Sequence, residues 1–124
     1  MLILRCIAQK NLAKLYSTRP PDLQKAYDLA TKARKNLPDD AELTRTLADI
    51  NYQRKDYSRA LGLLMESARK EPLDANHLYY LGMCSLQTKD NDQARESLTQ
   101  ALANGLQEPL AADARRALQD ISRN

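Results

Sequence analysis

Apolar residues recur in the middle of the chain at the spacing of an amphipathic helix. Leu43, Leu47 and Ile50 stand at i, i+4 and i+7, so they share one helix face. After the polar joint at residues 54–56, a second apolar stripe begins. This stripe contains Tyr57, Ala60, Leu61, Leu64 and Ala68. The pattern predicts an antiparallel helical hairpin, because so short a joint leaves room for no other connection.

The hairpin is one unit of a repeat with a period of 34 residues. Ala26, Ala60 and Ala94 are separated by this offset, and so are Pro38 and Pro72. Other small or apolar positions return in step: Ala33, Ser67 and Ala101; Ala30, Leu64 and Leu98; Ala13, Leu47 and Leu81; Ala48 and Gly82. A fixed period indicates stacked copies of one unit, since a lone hairpin cannot bury both of its faces.

The pattern resembles the tetratricopeptide repeat, a 34-residue helix–turn–helix unit with small residues at its helix crossing and a closing proline. The middle unit has the family's residue types at Leu47, Ala48, Asp56, Tyr57, Ala60, Leu64 and Pro72. Thr44 replaces the frequent tryptophan, and Lys10 stands in the first unit where a large apolar residue is usual. In the third unit Leu106 occupies the proline position, and Pro109 follows three residues later.

The resemblance implies one all-α domain over residues 1–124, a right-handed superhelix of antiparallel helix pairs with about seven helices. The units would run over 7–40, 41–74 and 75–108, and a capping helix over 109–122 would close the stack. Aspartates precede the predicted helices, where their carboxylates can accept hydrogen bonds from first-turn N–H groups. These aspartates are Asp39 or Asp40, Asp56, Asp74 and Asp90.

Composition and charge agree with a helical protein and exclude several classes. The chain has no Val, Trp or Phe, so the residues that favour strands are scarce. Its 19 basic and 16 acidic residues alternate in sign, which is typical of a solvated surface and not of a nucleic-acid interface. The longest apolar run, residues 1–4, is too short for a membrane-spanning helix of about 20 residues.

The chain's candidate reactive groups do not form a recognisable catalytic or metal site. Cys6, Cys84 and His77 are too few for a four-ligand zinc site. His77 and Cys84 are seven residues apart, about 10.5 Å along a helix, whereas a dyad needs about 3 Å. We therefore expect a non-enzyme without metal or cofactor. The free cysteines favour the cytoplasm, but two unpaired cysteines do not exclude the periplasm. The segment at residues 103–112 also resembles the end of bacterial repeat proteins of secretion and envelope polysaccharide machinery, so an association with the envelope stays open.

The first helices of the units line a concave groove in the family, so the resemblance implies partner contacts on these helices. The corresponding residues are Asn11, Leu15, Thr18, Glu42, Arg45, Asp49, Tyr52, Gln53, Asn76, Tyr79, Met83 and Gln87. Tyr52, Tyr79 and Met83 stand out, because amphipathic rings and soft sulfur suit adaptable contacts. The alternative for each position is that it only solvates its helix or packs between units. We expect a scaffold or adaptor that binds a protein or peptide partner.

One family subfunction, a clamp of Lys, Asn and Arg that holds the carboxylate of chaperone tails, is disfavoured. The matching positions are Asn11, Leu15, Thr46, Asn76 and Tyr80, and none is basic.

The second hypothesis is a structural or self-associating segment of a longer repeat protein. Leu2, Ile3, Leu4 and Ile7 form an apolar edge without a preceding capping residue. This edge would join further repeats or a second copy of the chain as a homodimer.

Overall fold

The computed structural model describes residues 2–18 and 22–123, and the side chains of residues 5–14 and 22–123. Within these ranges it has seven helices and no strand, so the all-α prediction is confirmed. The helices are α1 (Leu2–Thr18), α2 (Leu23–Asn36), α3 (Ala41–Gln53), α4 (Tyr57–Lys70), α5 (Ala75–Gln87), α6 (Asn91–Ala103) and α7 (Leu110–Ser122).

The helices pair in sequence order and the pairs then stack. α1 packs on α2, α3 on α4 and α5 on α6, while α2 against α3 and α4 against α5 join successive hairpins. α7 closes the stack against α6 and α5. α1, α3, α5 and α7 also touch one another in order, so they form one layer. We call these four the inner helices, and α2, α4 and α6 the outer helices.

Aspartate caps set the start of five helices. Asp22, Asp40, Asp56, Asp74 and Asp90 each accept a hydrogen bond from the N–H three residues later, at 2.8–3.3 Å. Asp40, and not its neighbour, is the cap of α3, which settles the choice that the sequence left open. Each cap satisfies one of the N–H groups that a helix start leaves without a partner.

The small residues of the repeat lie where the paired helices cross. Ala26, Ala60 and Ala94 are fully buried, as the repeat predicts. At Gly82, α5 lies close to α6, because a Cβ added there would lie 2.6 Å from Cγ of Leu98. The short turns repeat as well: Lys55 and Lys89 both have φ of 66°.

The buried side chains form two clusters. One joins α1, α2 and α3 and contains four alanines, with Leu43, Leu47 and Ile50. The other runs from α3 to α7 and is larger, and half-buried Leu63 contacts both. α7 buries Ala111, Ala114, Ala117 and Ile121 and starts at Leu110, one residue later than predicted. Leu110 and Leu118 of the same helix are half-buried.

Candidate binding groove

A cavity of about 320 Å³ lies between α3 and α5, with α1 at its edge. We call it the polar cavity, because most of its lining is charged. Its lining residues are Lys14, Glu42, Arg45, Thr46, Asp49, Asp74 and His77. Three of the four inner helices, α1, α3 and α5, contribute to it. The four lining residues of α3 stand at i, i+3, i+4 and i+7, so they share one face of that helix.

Ion pairs hold the basic groups of the polar cavity against neighbouring helices. Lys14 Nζ lies 3.3 Å from Oε1 of Glu42, which ties α1 to α3. Arg45 pairs with Glu71 at the end of α4. Thr46 is buried, with 6% of its surface exposed, and forms part of the cavity wall. The cavity therefore presents both signs of charge in fixed positions.

His77 bridges two carboxylates at the centre of the polar cavity. Its Nδ1 lies 2.8 Å from Oδ1 of Asp74, and its Nε2 lies 3.0 Å from Oδ1 of Asp49. Partial burial by itself would lower the pKa of His77, but hydrogen bonds with Asp49 and Asp74 and their charges outweigh it and raise the pKa. The side chain of His77 is only 14% exposed.

A second cavity, about 300 Å³, lies between α5 and α7. We call it the apolar cavity, because Tyr79, Met83, Leu86, Ala117 and Ile121 form most of its wall. Its remaining lining residues are Asn91, Asp113, Arg116 and Asp120.

The two cavities occupy equivalent places between successive inner helices but differ in chemistry. Adding the repeat offset of 34 to Arg45 gives Tyr79, and adding it to Asp49 gives Met83. These two charged residues of the polar cavity are thus replaced by an aromatic and a thioether side chain in the apolar cavity.

Four tyrosines pack where α3, α4 and α5 meet. The ring centroids of Tyr52 and Tyr80 are 4.6 Å apart, and those of Tyr52 and Tyr57 are 5.6 Å apart with the rings nearly perpendicular. Tyr79 contacts Tyr80 edge-on at 5.7 Å. Burial, reinforced by the neighbouring phenol of Tyr79, raises the pKa of Tyr52. These rings stabilise the joint between the second and third hairpins.

The structure divides the sequence-predicted groove residues into three groups. Glu42, Arg45, Asp49, Tyr79 and Met83 line a cavity. Tyr52 packs into the tyrosine cluster, and Tyr79 is only 5% exposed, so its ring forms a cavity wall instead of standing free. Asn11, Gln53, Asn76 and Gln87 are exposed and line neither cavity. The structure does not describe the side chains of two further groove residues, Leu15 and Thr18. The same holds for three residues of the predicted apolar edge, Leu2, Ile3 and Leu4.

Sequence reasoning missed the contribution of α7 and the contacts of His77. The contribution of α7 could have been found from the 34-residue offset, because adding it to Tyr79 and Met83 gives Asp113 and Ala117 of the apolar cavity. The contacts of His77 had no such signal in the sequence. Asp49 and His77 are 28 residues apart and come together only through the packing of α3 against α5.

Metal and thiol chemistry find little support in the described part of the chain. No group of three or more His, Cys, Asp or Glu side chains there could hold a metal ion. Cys84 is buried, and this burial raises the pKa of its thiol to about 12, so the thiolate needed for nucleophilic attack is scarce. None of the described helices is long and apolar enough to cross a membrane.

Comparisons with known proteins agree with this architecture. The family model described as tetratricopeptide repeat matches residues 12–71 and 56–105. Among solved structures, the N-terminal domain of stress-induced protein-1 (STI-1) from C. elegans superposes with a TM-score of 0.66 at 16% sequence identity. The match covers 94% of this chain and 97% of that one, and at this identity it shows the fold alone. No curated protein sequence matches the chain.

Proposed function

This chain belongs to the tetratricopeptide repeat family, a family of protein-interaction modules, and on that premise we propose that it binds a segment of a protein partner along its inner helices. The observation that carries the proposal is the pair of adjacent cavities between α3, α5 and α7. Together they offer charged, aromatic and aliphatic groups to one ligand. A concave site with a few fixed polar groups is the usual setting for specific recognition.

The polar cavity supports binding and not catalysis. Both ring nitrogens of His77 are occupied by carboxylates, so the imidazole has no free nitrogen for a substrate. The thiol of Cys84 is buried in the core cluster. The groups that remain can donate and accept hydrogen bonds and complement charge, which is what a peptide backbone and its side chains require. The chain therefore acts as a scaffold or adaptor in this proposal.

The test begins with selection of peptides from a random display library on the immobilised chain. The affinity of the selected peptides is then measured by fluorescence polarisation for the parent chain and for two variants. Arg45→Ala removes an arginine from the polar cavity. Arg69→Ala is the matched control, because Arg69 lines a cavity of about 390 Å³ on the outer side, beside exposed Met65 of α4.

We expect Arg45→Ala to raise the Kd about tenfold, as for a central charged contact, and Arg69→Ala to leave it unchanged. Unaltered melting temperatures of both variants would show that folding is retained. Loss of affinity in Arg69→Ala alone would place the binding site on the outer helices and contradict the proposal. Failure of the library to yield any binding peptide would contradict it as well.

The alternative function is self-association through α1. Ile7 is 39% exposed and Leu12 is 42% exposed, and with Met65 they are the large hydrophobic residues exposed in the described part of the chain. Light scattering coupled to size exclusion tests this reading. A dimer mass that the double variant Ile7→Lys/Leu12→Lys loses would support it. A monomer mass for the parent chain over the whole concentration range would reject it.

A further inference from the structure

We propose that the apolar cavity receives one large apolar side chain of the partner, with a Lys or Arg next to it in the partner's sequence. This side chain would anchor the partner segment on the inner helices, so the proposal rests on the proposed function. The partner segment is thus defined by an apolar residue and an adjacent positive charge. Three features of the cavity support this assignment: its wall, its size and its charged rim.

The wall is apolar and adaptable. Met83 and Leu86 are half-buried, so their outer surfaces become covered only when a ligand enters. The ring of Tyr79 and the side chain of Ile121 form a buried floor, with 5% and 4% exposed. The unbranched thioether of Met83 can adjust to ligands of different shape. Burial of apolar surface is therefore the main source of affinity here.

A small residue on α7 leaves the space of the cavity open. Ala117 contributes only a methyl group to the wall that faces Tyr79 and Met83. The volume of about 300 Å³ lies at the lower end of ligand-site volumes and suits one large side chain instead of a folded element. A longer side chain at position 117 would occupy the same space.

The rim is acidic on balance. Asp113 and Asp120 stand on either side of Arg116, and all three line the cavity. Arg116 is 3.6 Å from Asp113, and Arg123 is 4.0 Å from Asp120. Both are exposed ion pairs between residues three positions apart, and such pairs contribute little to stability. Both carboxylates can thus exchange these partners for a cation of the ligand.

The field of Asp113 reaches the floor of the cavity. Burial raises the pKa of Tyr79, and the charge of Asp113 raises it further. The acidic rim of the apolar cavity attracts a Lys or Arg next to the anchoring apolar side chain of the partner and repels an acidic residue at that place.

The experiment titrates the full ¹⁵N-labelled chain with three synthetic nonapeptides and follows amide shifts by NMR up to millimolar concentration. Each peptide is built from Gly and Ser, and its two central residues are Leu-Lys, Leu-Glu or Ser-Lys. We expect Leu-Lys to bind with shifts at residues 79–86 and 113–121, and both other peptides to bind about tenfold more weakly or worse. Equal affinity of Leu-Lys and Ser-Lys, or no shift with Leu-Lys, would overturn the proposal.

Variants separate the anchor from the rim. Ala117→Leu fills the cavity and should weaken Leu-Lys at least tenfold, whereas the same substitution at exposed Ala103 of α6, which lines neither cavity, should retain binding within about threefold. Should Ala117→Leu lower the melting temperature, Met83→Gln makes the wall polar at similar size and should weaken Leu-Lys in the same way. Asp113→Asn/Asp120→Asn should abolish the preference for Leu-Lys over Leu-Glu and keep the dependence on Leu.

The position of the shifts distinguishes the two proposals. Shifts confined to the polar cavity, at residues 42–49 and 74–77, would leave peptide binding along the inner helices intact and reject the apolar anchor. Failure of every defined peptide, together with an empty library selection, would reject both.

Discussion

At the scale of single residues, the two helical glycines of the chain have opposite surroundings. Gly82 of α5 faces Leu98, so a methyl group there would force α5 and α6 apart. Gly62 of α4 is exposed and has no atom within 4 Å of an added Cβ. We expect Gly82→Ala to lower the free energy of unfolding by about 1–3 kcal/mol. Gly62→Ala should raise it by about 0.5–1 kcal/mol, because alanine is the better helix former.

Urea unfolding of the two glycine variants beside the parent measures both effects. Opposite signs support the crossing described here, and stabilisation by both substitutions would contradict it.

His77 makes stability depend on pH. Its pKa in the folded chain is raised above the ordinary 6.5 by Asp49 and Asp74, with Arg45 and Tyr80 also close by. A raised pKa means that the folded chain holds the proton more tightly, so the stabilisation is complete below pH 6.5 and is lost as pH rises through the folded pKa. His77→Gln should therefore cost about 1–2 kcal/mol at pH 5.5 and less at pH 8.5.

The measurement is urea unfolding of His77→Gln and the parent at both pH values. An equal cost at pH 5.5 and pH 8.5 would mean that the bridge between the two carboxylates does not depend on the charge of the imidazole.

The residue scale is also where sequence reasoning fell short. The position of His77 in the repeat gives no hint of its partners, since Asp49 is reached through helix packing and not through spacing along the chain. Tyr79 shows the converse. Its position in the period was predicted, but its exposure depends on how closely α7 packs against α5, which the period does not specify.

At the scale of elements, the helices could be predicted almost entirely, because their signals are local. Apolar spacing indicates where each helix lies, and the four predicted aspartate caps indicate where α3, α4, α5 and α6 begin, whereas Asp22, the cap of α2, was not predicted. The packing around Thr44, which stands where the family frequently has a tryptophan, could not be predicted. There Arg34 of α2 donates a hydrogen bond to Thr44 of α3 at 3.1 Å and pairs with Glu66 of α4 at 2.6 Å. This polar network ties the first two hairpins together.

Asp39 and Asp40 form a natural pair for testing helix capping. Asp40 accepts a hydrogen bond from the N–H of Leu43 at 2.9 Å and forms an ion pair with Lys10 at 3.1 Å. Asp39 is exposed and forms an ion pair with Lys70. We expect Asp40→Ala to cost about 1–2 kcal/mol of unfolding free energy, and Asp39→Ala about 0.5 kcal/mol or less.

Thermal melting at pH 7 measures this difference. Burial alone would raise the pKa of Asp40, but its hydrogen bonds and Lys10 lower it, so its contribution is present at neutral pH and disappears as pH falls through the folded pKa. Equal costs for the two variants would reject Asp40 as the cap.

At the scale of the whole molecule, the two core clusters predict uneven local stability. The cluster of α1 to α3 is built mainly from alanines and buries little apolar surface, whereas the cluster of α3 to α7 contains larger side chains from five helices. In a stack of repeats each hairpin depends on its neighbours, so the weaker end opens first. We expect amide hydrogen exchange to be faster in α1 and α2 than in α5 and α6. Equal protection at both ends would show that the stack unfolds as one unit.

The central claim is that a partner segment binds along the inner helices. The most direct measurement places a nitroxide label on the tightest display-selected peptide and records the loss of amide NMR signal in the chain near the label. We predict that signals near Asp49, His77 and Met83 are lost, while those of the outer helices, such as Arg69 and Arg95, keep their intensity. Signal loss centred on the outer helices, or uniform loss over the chain, would contradict the account.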